Sequence, residues 1–365
     1  MSARLTLVVP DLFDHPGGIA RISQSLVLAA ARWVERAGWR LAVRVLHDGG
    51  ERRDDRICPA AVDYRGFSGD RRRFAASVVA TAGRGPTVYG HVNFAALSLP
   101  GLALGGRYAV VAHGVEVWRR LSWSRTLALK SARELWPVSR HTGEVMARVH
   151  GLDPARVHVI ENALGPFQVA SADVPVPEAP RFLTIARLLH ADRDKGVDRA
   201  IEAFAGVIAR VPEATFEVIG DGDDRARLEA LARALGLGDR VRFLGRVDDA
   251  TLEQRLLAAR ALVLPSTVEG FGLVYVEAMA RGRAVLAVRA GGTPEVVDDG
   301  VTGLLVPAER GDRDAALTEA WLRLATDHAL AVRLGDAGRA RVAERFRFER
   351  YAADIGAALG RLTSR

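Results

Sequence analysis

The sequence lacks the features that mark several common classes of protein. It has one cysteine, Cys58, so no disulfide can form within the chain, and we expect a reducing compartment. No apolar run approaches the ~20 residues that a membrane-spanning helix needs. The first apolar run, residues 5–10, is too short for the core of a signal peptide and predicts a strand. We therefore expect a cytoplasmic protein, with a peripheral position on the inner face of a membrane as the alternative.

Lysine is almost missing. Of the 51 Lys and Arg residues, only Lys130 and Lys195 are lysines. In so arginine-rich a chain, a lysine in a motif is evidence that a compact ammonium group is needed there. The chain also lacks the Gly-x-Gly-x-x-Gly fingerprint after its first strand, which argues against a dinucleotide-dependent dehydrogenase.

Positive charge is concentrated in the first half of the chain. Residues 1–170 carry a formal charge of +9, whereas the remainder carries −2. Nucleic acid, an anionic membrane surface or an acidic substrate would each fit a basic half. The charges are scattered rather than arranged in one stripe, and no recognisable stacking motif accompanies them, so we expect no nucleic-acid partner.

Short apolar runs alternate with amphipathic stretches along the whole chain, the pattern of βαβ units and a parallel sheet. A stretch rich in Pro, Ala and acidic residues interrupts this alternation. We predict a first domain over 1–170, a linker over 171–180, a second domain over 181–345 and a terminal helix over 346–365. The predicted strands are 5–10, 41–46, 60–64, 87–90, 108–112, 181–186, 215–219, 241–244, 261–264 and 284–288.

The stretch 265–295 holds the strongest functional pattern. Glu269 precedes a predicted helix and Glu277 lies eight residues on, about two helical turns, so both could reach one extended ligand. Glycine turns at 270–272 and 291–292 let backbone N–H groups approach an anion. Either glutamate alone fits an ordinary surface residue. The whole pattern indicates a ligand that carries both hydroxyls and phosphates.

Other candidate ligand contacts follow predicted strands. Arg187 and Lys195 flank a loop ahead of a helix, which suits a diphosphate. Gly222 ends the next strand and could close on a nucleotide, or form a simple turn. In the first half, Gly17-Gly18 separates the first strand from its helix, which is where doubly wound sheets bind ligands, although an ordinary turn fits as well.

Two further features of the first half have alternative interpretations. His113 follows a strand and precedes a glycine, so it fits a functional histidine and a structural one equally well. Residues 117–136 mix tryptophans with basic residues, and we predict a helix over 122–135. That helix suits an interface with anionic lipid or a core-packed position with a solvated basic face.

Taken in order, these motifs resemble those of the retaining glycosyltransferases of family 4, over essentially the whole chain. The resemblance rests on the glycine pair at 17–18, His113, Arg187 with the Lys-Gly pair at 195–196, and the Glu-x7-Glu pattern that begins at Glu269. The glycine turn at 291–295 adds to it. The eight-residue gap from Arg187 to Lys195 and the pattern His-Gly-x-Glu-x-Trp at 113–118 are similar to a subgroup that includes mannosyltransferases of exopolysaccharide assembly.

The resemblance implies an α/β protein of the GT-B fold, with two Rossmann-like parallel-sheet domains facing a central cleft. The C-terminal helix would cross back to the first domain. It also implies metal-independent, retaining transfer of a hexose from a nucleotide-diphosphate sugar to a glycan or a polyprenyl-diphosphate-linked acceptor, in polysaccharide biosynthesis. GDP-mannose is the first expectation for the donor and UDP-sugars come next. A non-transferase GT-B enzyme, such as a nucleotide-sugar epimerase, is the alternative.

In the second half, the resemblance assigns Arg187 and Lys195 to the donor diphosphate and Glu277 to the ribose hydroxyls. Glu269 would contact the donor sugar. So would the backbone of Gly270, Phe271 and Gly272, which precede the helix, and of Leu273, its first residue. Loops near Gly222 and Val247 would meet the base.

In the first half, Gly17 and Gly18 would approach the diphosphate, and His113 would lie by the anomeric centre. No cofactor and no metal are expected, since no Asp-x-Asp motif lies beside the diphosphate loop. The stretch 221–223 has that form, but it falls on the nucleotide side.

Overall fold

The computed structural model describes residues 3–15, 17–50, 54–81, 83–166 and 174–364. The chain divides into two compact units. The first unit comprises Met1–Phe167 and Phe346–Arg365, and the second comprises Gln168–Arg345.

The first unit is built on a parallel sheet in the order β3-β2-β1-β4-β5-β6. Leu5 and Leu7 pair with Leu41 and Val43 in the neighbouring strand, and all four are buried. Apolar residues on both strand faces are what a sheet covered by helices on two sides requires. The strands are β1 Arg4–Val9, β2 Arg40–Val45, β3 Asp63–Gly66, β4 Thr87–Tyr89, β5 Tyr108–Ala112 and β6 Glu134–Pro137.

Helices of the first unit include the last helix of the chain. They are α1 Gly18–Ala37, α2 Arg71–Thr81, α3 Leu99–Leu102, α4 Trp123–Ser131, α5 Arg140–His150 and α13 Phe348–Thr363. Helix α13 packs on α1, where the Arg32 guanidinium lies 4.7 Å from the centre of the Phe348 ring. Two nitrogens of Arg361 donate to the Glu134 carboxylate at 3.1 Å each, which ties α13 to the edge strand β6.

The second unit repeats the architecture with the order β12-β11-β10-β7-β8-β9. Its strands are β7 Arg181–Ile185, β8 Thr215–Ile219, β9 Val241–Gly245, β10 Ala261–Leu264, β11 Ala284–Val288 and β12 Gly303–Val306. Its helices are α6 Val197–Ile208, α7 Arg225–Ala234, α8 Asp249–Ala258, α9 Leu273–Ala280, α10 Thr293–Val296, α11 Arg310–Thr326 and α12 His328–Arg345. The fully buried Trp321 packs against Phe182, Phe204 and Phe216 and fills the core between the sheet and α11.

Each sheet has a point where the strand order reverses. In the first unit it lies between β1 and β4, and in the second between β7 and β10. Chain crossings on opposite sides of the sheet leave a crevice at the carboxyl ends of these strands, which is where open α/β sheets bind ligands. The predicted α/β fold with two parallel sheets is confirmed.

The sequence patterns missed one strand in each sheet. Residues 134–135 were predicted to end the helix over 122–135, but they begin β6. Leu135 and Trp136 are fully buried there, and the indole N–H of Trp136 donates to Glu134 Oε2 at 2.8 Å. Burial against the sheet therefore overrides the helical pattern in these residues, and the observed helix α4 ends at Ser131. Strand β12 and helix α5 were not predicted.

The predicted linker also differs from the structure. Its residues 171–173 lie outside the described residues, whereas 174–180 pack on the second unit. The buried Arg283 donates to the carbonyls of Val174 and Pro175, and Arg260 donates to that of Pro177. A Pro-rich composition indicated a connection, but two distant arginines anchor it.

Among the described residues, no helix is both long enough and apolar enough to cross a lipid bilayer.

Candidate functional site

The second unit brings together two predicted site residues that lie 74 positions apart in the chain. Lys195 Nζ donates to Glu269 Oε1 at 2.6 Å. Their side chains are only 23% and 10% exposed, so both charges are largely removed from water. Since Lys195 follows β7 and Glu269 follows β10, the pair lies at the point where the strand order of this sheet reverses.

Backbone contacts between the two loops place Lys195 beside Glu269. Gly196 has φ +72°, and a Cβ there would lie 2.5 Å from the carbonyl oxygen of Pro265. Thr267 N–H donates to the carbonyl of Asp194 at 2.9 Å. Only glycine combines this positive φ with so close an approach. Gly196 and Thr267 are therefore positioning residues. In the sequence, nothing except the Lys-Gly pair at 195–196 indicates this contribution.

The glycine turn before α9 is buried and tightly supported. Gly272 has φ +88°, and a Cβ there would lie 2.4 Å from the Tyr275 ring. The Tyr275 hydroxyl donates to the carbonyl of Leu264 at 3.1 Å. Burial raises the pKa of Tyr275, and the charge of Glu269 raises it further, so the hydroxyl stays a neutral donor. The turn and the N-terminal N–H groups of α9 are therefore held in a fixed place, as an anion site requires.

Glu277 on α9 and the second glycine turn, at 291–292, also belong to this region. Glu277 is only 6% exposed, and its backbone carbonyl accepts from Arg281 Nη1 at 2.8 Å. Gly292 N–H donates to the carbonyl of Glu269 at 2.7 Å, which joins the second glycine turn to the first. Phe271 and Leu273, between these points, are buried. The predicted cluster of glycine turns and carboxylates therefore forms one continuous structure.

Arg187 is placed differently from Lys195. Its side chain is 70% exposed, and its Nη2 lies 3.1 Å from Asp192 Oδ2. Asp192 is the partner that sequence reasoning missed, because it lies in an irregular 3-10 stretch, His190–Lys195, without a periodic pattern. A donor diphosphate would have to draw Arg187 away from this carboxylate.

The structure supplies a packing reason for Gly222. A Cβ at this position would lie 2.2 Å from the carbonyl oxygen of Leu188, so glycine is required whether or not a nucleotide binds nearby. Val247 lies half-buried in the loop between β9 and α8. Contacts of Gly222 and Val247 with a base stay predictions.

The first unit places Gly17 and Gly18 at the N-terminus of α1, after β1. A Cβ added at either glycine meets no described atom within 4 Å, and neither has a backbone conformation that demands glycine. The preceding loop is held by Asp48, a fully buried residue that the sequence analysis did not single out. Its carboxylate accepts the N–H groups of Leu12 and Phe13 at 3.1 and 3.0 Å.

His113 follows β5 as predicted. Its Nε2 lies 2.7 Å from the carbonyl oxygen of Gly90, so this nitrogen carries the hydrogen. Its Nδ1 is buried and has no hydrogen-bond partner among the described residues. The backbone N–H of His113 donates to Glu116 Oε1 at 2.5 Å. The ring is thus held in one orientation, with an unused acceptor.

His91 lies beside His113, with ring centres 5.6 Å apart. Burial, with a smaller contribution from the neighbouring His113, lowers the pKa of His91 to about 4. Its Nδ1 accepts the N–H of Asn93 at 3.1 Å and caps the following 3-10 turn. His91 is therefore neutral in the folded protein near pH 7.

This low pKa predicts an acid-dependent loss of stability. Unfolded histidine titrates near pH 6.5, so the unfolded chain binds the extra proton between about pH 6.5 and 4. The contribution of His91 to the free energy of unfolding is complete above pH 6.5. As the pH falls through that window, it decreases by up to about 1.4 kcal/mol per pH unit. Urea unfolding at several pH values measures it. His91→Asn keeps an Asx cap without a titrating ring, and its stability should fall less steeply; an unchanged slope would contradict the assignment.

Comparison with known proteins connects this geometry to a family. Residues 172–341 match the model of the family described as Glycosyl transferases group 1. The alpha-maltose-1-phosphate synthase of Mycobacterium tuberculosis is 33% identical over 243 residues, 62% of this chain and 62% of that protein. The GDP-mannose-dependent alpha-(1-6)-phosphatidylinositol monomannoside mannosyltransferase of the same organism is 33% identical over 185 residues, 49% of this chain and 46% of that protein. The chain thus spans less than two thirds of the length of these curated relatives.

A solved structure covers almost the entire chain. Anabaena Alr3699/HepE, crystallised with UDP and glucose, superposes with a TM-score of 0.78 and 21% identity over 99% of this chain and 100% of that chain. At this identity the likeness shows the fold. The second unit therefore matches the group 1 glycosyl transferases, and the chain as a whole has the GT-B fold.

Proposed function

We propose that the protein is a hexosyltransferase that uses a nucleotide-diphosphate sugar, retains the anomeric configuration and needs no metal ion for the transfer. The observation that carries this proposal is the Lys195–Glu269 pair, largely buried at 2.6 Å and placed beside the glycine turn of α9. A lysine and helix N–H groups stabilise a departing diphosphate, while a carboxylate nearby holds sugar hydroxyls.

The roles of the remaining residues follow from their places. The largely buried Lys195 has Glu269 as its carboxylate partner, and the exposed Arg187 lies against Asp192. A bound diphosphate would take over these contacts and stabilise the negative charge that develops on its oxygen as the bond to the sugar breaks. Glu277, nearly buried on α9, would receive the ribose hydroxyls.

We propose GDP-mannose as the donor and a UDP-sugar as the alternative. The motif spacing supports the first, and one relative is named as GDP-mannose-dependent. The neighbour crystallised with UDP and glucose supports the second. A thermal-shift panel of GDP, UDP, dTDP and ADP, each with and without its sugar, decides between them, because a ligand that binds only the folded state raises the melting temperature. No shift with any nucleotide would overturn the proposal.

Once a donor is identified, acceptor-dependent transfer of labelled sugar separates a transferase from an epimerase.

Gly18→Ala should weaken use of the donor without weakening the fold. Because a Cβ there meets no described atom within 4 Å, and alanine favours helix, the melting temperature should stay equal or rise slightly. If the diphosphate approaches this backbone, the methyl group lies in its way, and KM for the donor should rise about tenfold or more, the scale of a single close contact.

Gly360→Ala is the matched control, since this glycine lies in α13 and a Cβ there also meets nothing within 4 Å. It should leave KM unchanged. Equal KM values in the two variants would remove Gly18 from the donor site.

We also propose that α4 lets the first unit meet an anionic membrane that presents a lipid-linked acceptor. The stretch expected to be one helix is divided by the structure. Trp136 is buried in β6, whereas Trp123 and Leu127, four residues apart on α4, are 78% and 36% exposed. Arg119 and Arg120 are exposed just before α4. Exposed apolar side chains beside cations suit the interface of anionic lipid.

Sedimentation with vesicles that contain phosphatidylglycerol tests the membrane contact. We expect binding at low salt that weakens in Trp123→Ser and with added salt, because screening weakens the attraction of the basic residues. If the protein stays in the supernatant at low salt, the membrane proposal is wrong, and the donor assignment is unaffected.

A further inference from the structure

Three metal-ligating side chains meet in the first unit, outside the residues assigned to the donor. Asp11 follows β1, His15 lies four residues further in the same loop, and His47 follows β2. The Nδ1 atoms of His15 and His47 each lie 3.0 Å from Asp11 Oδ1. One ligand atom from each of the three residues lies within 4.8 Å of the others.

The backbone that carries these ligands is anchored. His47 N–H donates to the carbonyl of Pro10 at 3.0 Å, which fixes the loop after β2 against the loop after β1. The buried Asp48, next to His47, accepts three N–H groups from residues 12–14. Asp11 is 17% exposed, whereas His47 and His15 are 40% and 64% exposed. Two ligands are therefore preorganised, and the exposed His15 ring is able to adjust.

The geometry of the cluster suits a cation. A carboxylate oxygen accepts hydrogen bonds, so both Nδ1 atoms that face Asp11 carry hydrogens in the metal-free chain. Metal–ligand distances of about 2.0–2.2 Å with O···N separations of 3.0 Å correspond to angles of roughly 90° at the ion. A metal would take the place of the two Nδ1 hydrogens, each ring then carrying its hydrogen on Nε2, and solvent would reach the remaining positions of the metal past His15.

We infer that Asp11, His15 and His47 form a binding site for one divalent transition-metal ion of the zinc class. Two imidazoles and one carboxylate favour such ions over Mg²⁺ or Ca²⁺, which prefer oxygen ligands. The site belongs to the first unit, whereas Arg187 and Lys195 belong to the second, and we assign it no part in sugar transfer.

Titration of the full chain with Co²⁺ tests the inference, since the ion reports its ligands by visible absorption. We expect one saturable equivalent, displacement by Zn²⁺, and weaker binding at lower pH, because the ion competes with protons for the imidazoles. Each of Asp11→Asn, His15→Ala and His47→Ala should weaken binding by about tenfold or more. Circular dichroism shows whether each variant is folded.

His190→Ala is the matched control, because this histidine is 69% exposed and lies beside Asp224 in the second unit. It should bind Co²⁺ as the wild type does. Absence of a saturable equivalent, or binding that survives both His15→Ala and His47→Ala, would overturn the site. The outcome is independent of the transferase proposal, since no donor or acceptor is present.

Discussion

Lys195→Ala should lower kcat/KM for the donor by about 10²–10³-fold, the cost of removing one preorganised group that stabilises developing negative charge. Lys195 is 23% exposed and contacts Glu269 at 2.6 Å, so its ammonium is fixed and poorly screened by water. Without it, the departing diphosphate retains Arg187 and the helix N–H groups only. Initial rates of sugar transfer or donor hydrolysis over a range of donor concentrations measure the loss.

A second variant separates this loss from a loss of stability. Lys195→Ala leaves Glu269 largely buried without its partner, which costs about 1–3 kcal/mol of unfolding free energy. The double variant Lys195→Ala/Glu269→Ala removes both charges and should regain part of that stability, but no activity. Lys130→Ala, at the other and exposed lysine, should be normal in both measurements. Near-normal turnover of Lys195→Ala would contradict the diphosphate role.

Glu269→Gln should strongly reduce transfer while binding of the free nucleoside diphosphate persists. The substitution keeps the shape of a side chain that is 10% exposed, but it removes the charge that neutralises Lys195. Because Lys195 is then released toward the diphosphate, nucleotide affinity should be equal or higher. We expect kcat to fall by about 10²-fold or more, the range for loss of a group that acts in the transition state. Calorimetry with GDP and UDP measures the affinity.

Glu277→Gln is the comparison that tests the division of roles. Glu277 is buried to a similar degree, at 6% exposed, and lies about one turn into α9. It should weaken nucleotide binding, because it is the proposed ribose contact, and raise KM for the donor more than it lowers kcat. If Glu269→Gln abolished nucleotide binding and Glu277→Gln left it intact, the two roles would be exchanged.

Much of the candidate site was predictable from local patterns. The apolar run at 261–264 and the glycines that follow it indicated a strand, a turn and a helix, and β10 and α9 have this arrangement. The alternation of strands and helices predicted two parallel sheets. Local chemistry suffices for these features, since burial on both faces and glycine at a turn leave marks in neighbouring residues.

Contacts between distant segments were not predictable in the same way. No local pattern shows that Asp192 pairs with Arg187 or that Asp48 holds the loop before Gly17. Strand β6 was missed because Leu135 and Trp136 are buried through contacts that their own sequence does not display. Burial of an edge strand is decided by what packs on it, here including α13, whose Arg361 binds Glu134.

The sequence by itself determined the class of fold and the residue types of the candidate site, through strand periodicity, glycine turns and the Glu-x7-Glu pattern. Only the tertiary structure decided which of these residues meet. Lys195 and Glu269 form a pair because the strand order reverses between β7 and β10, and because Gly196 lets one loop touch the other. Asp11, His15 and His47 meet at the carboxyl ends of β1 and β2, because neighbouring parallel strands bring the ends of distant segments to one edge of the sheet.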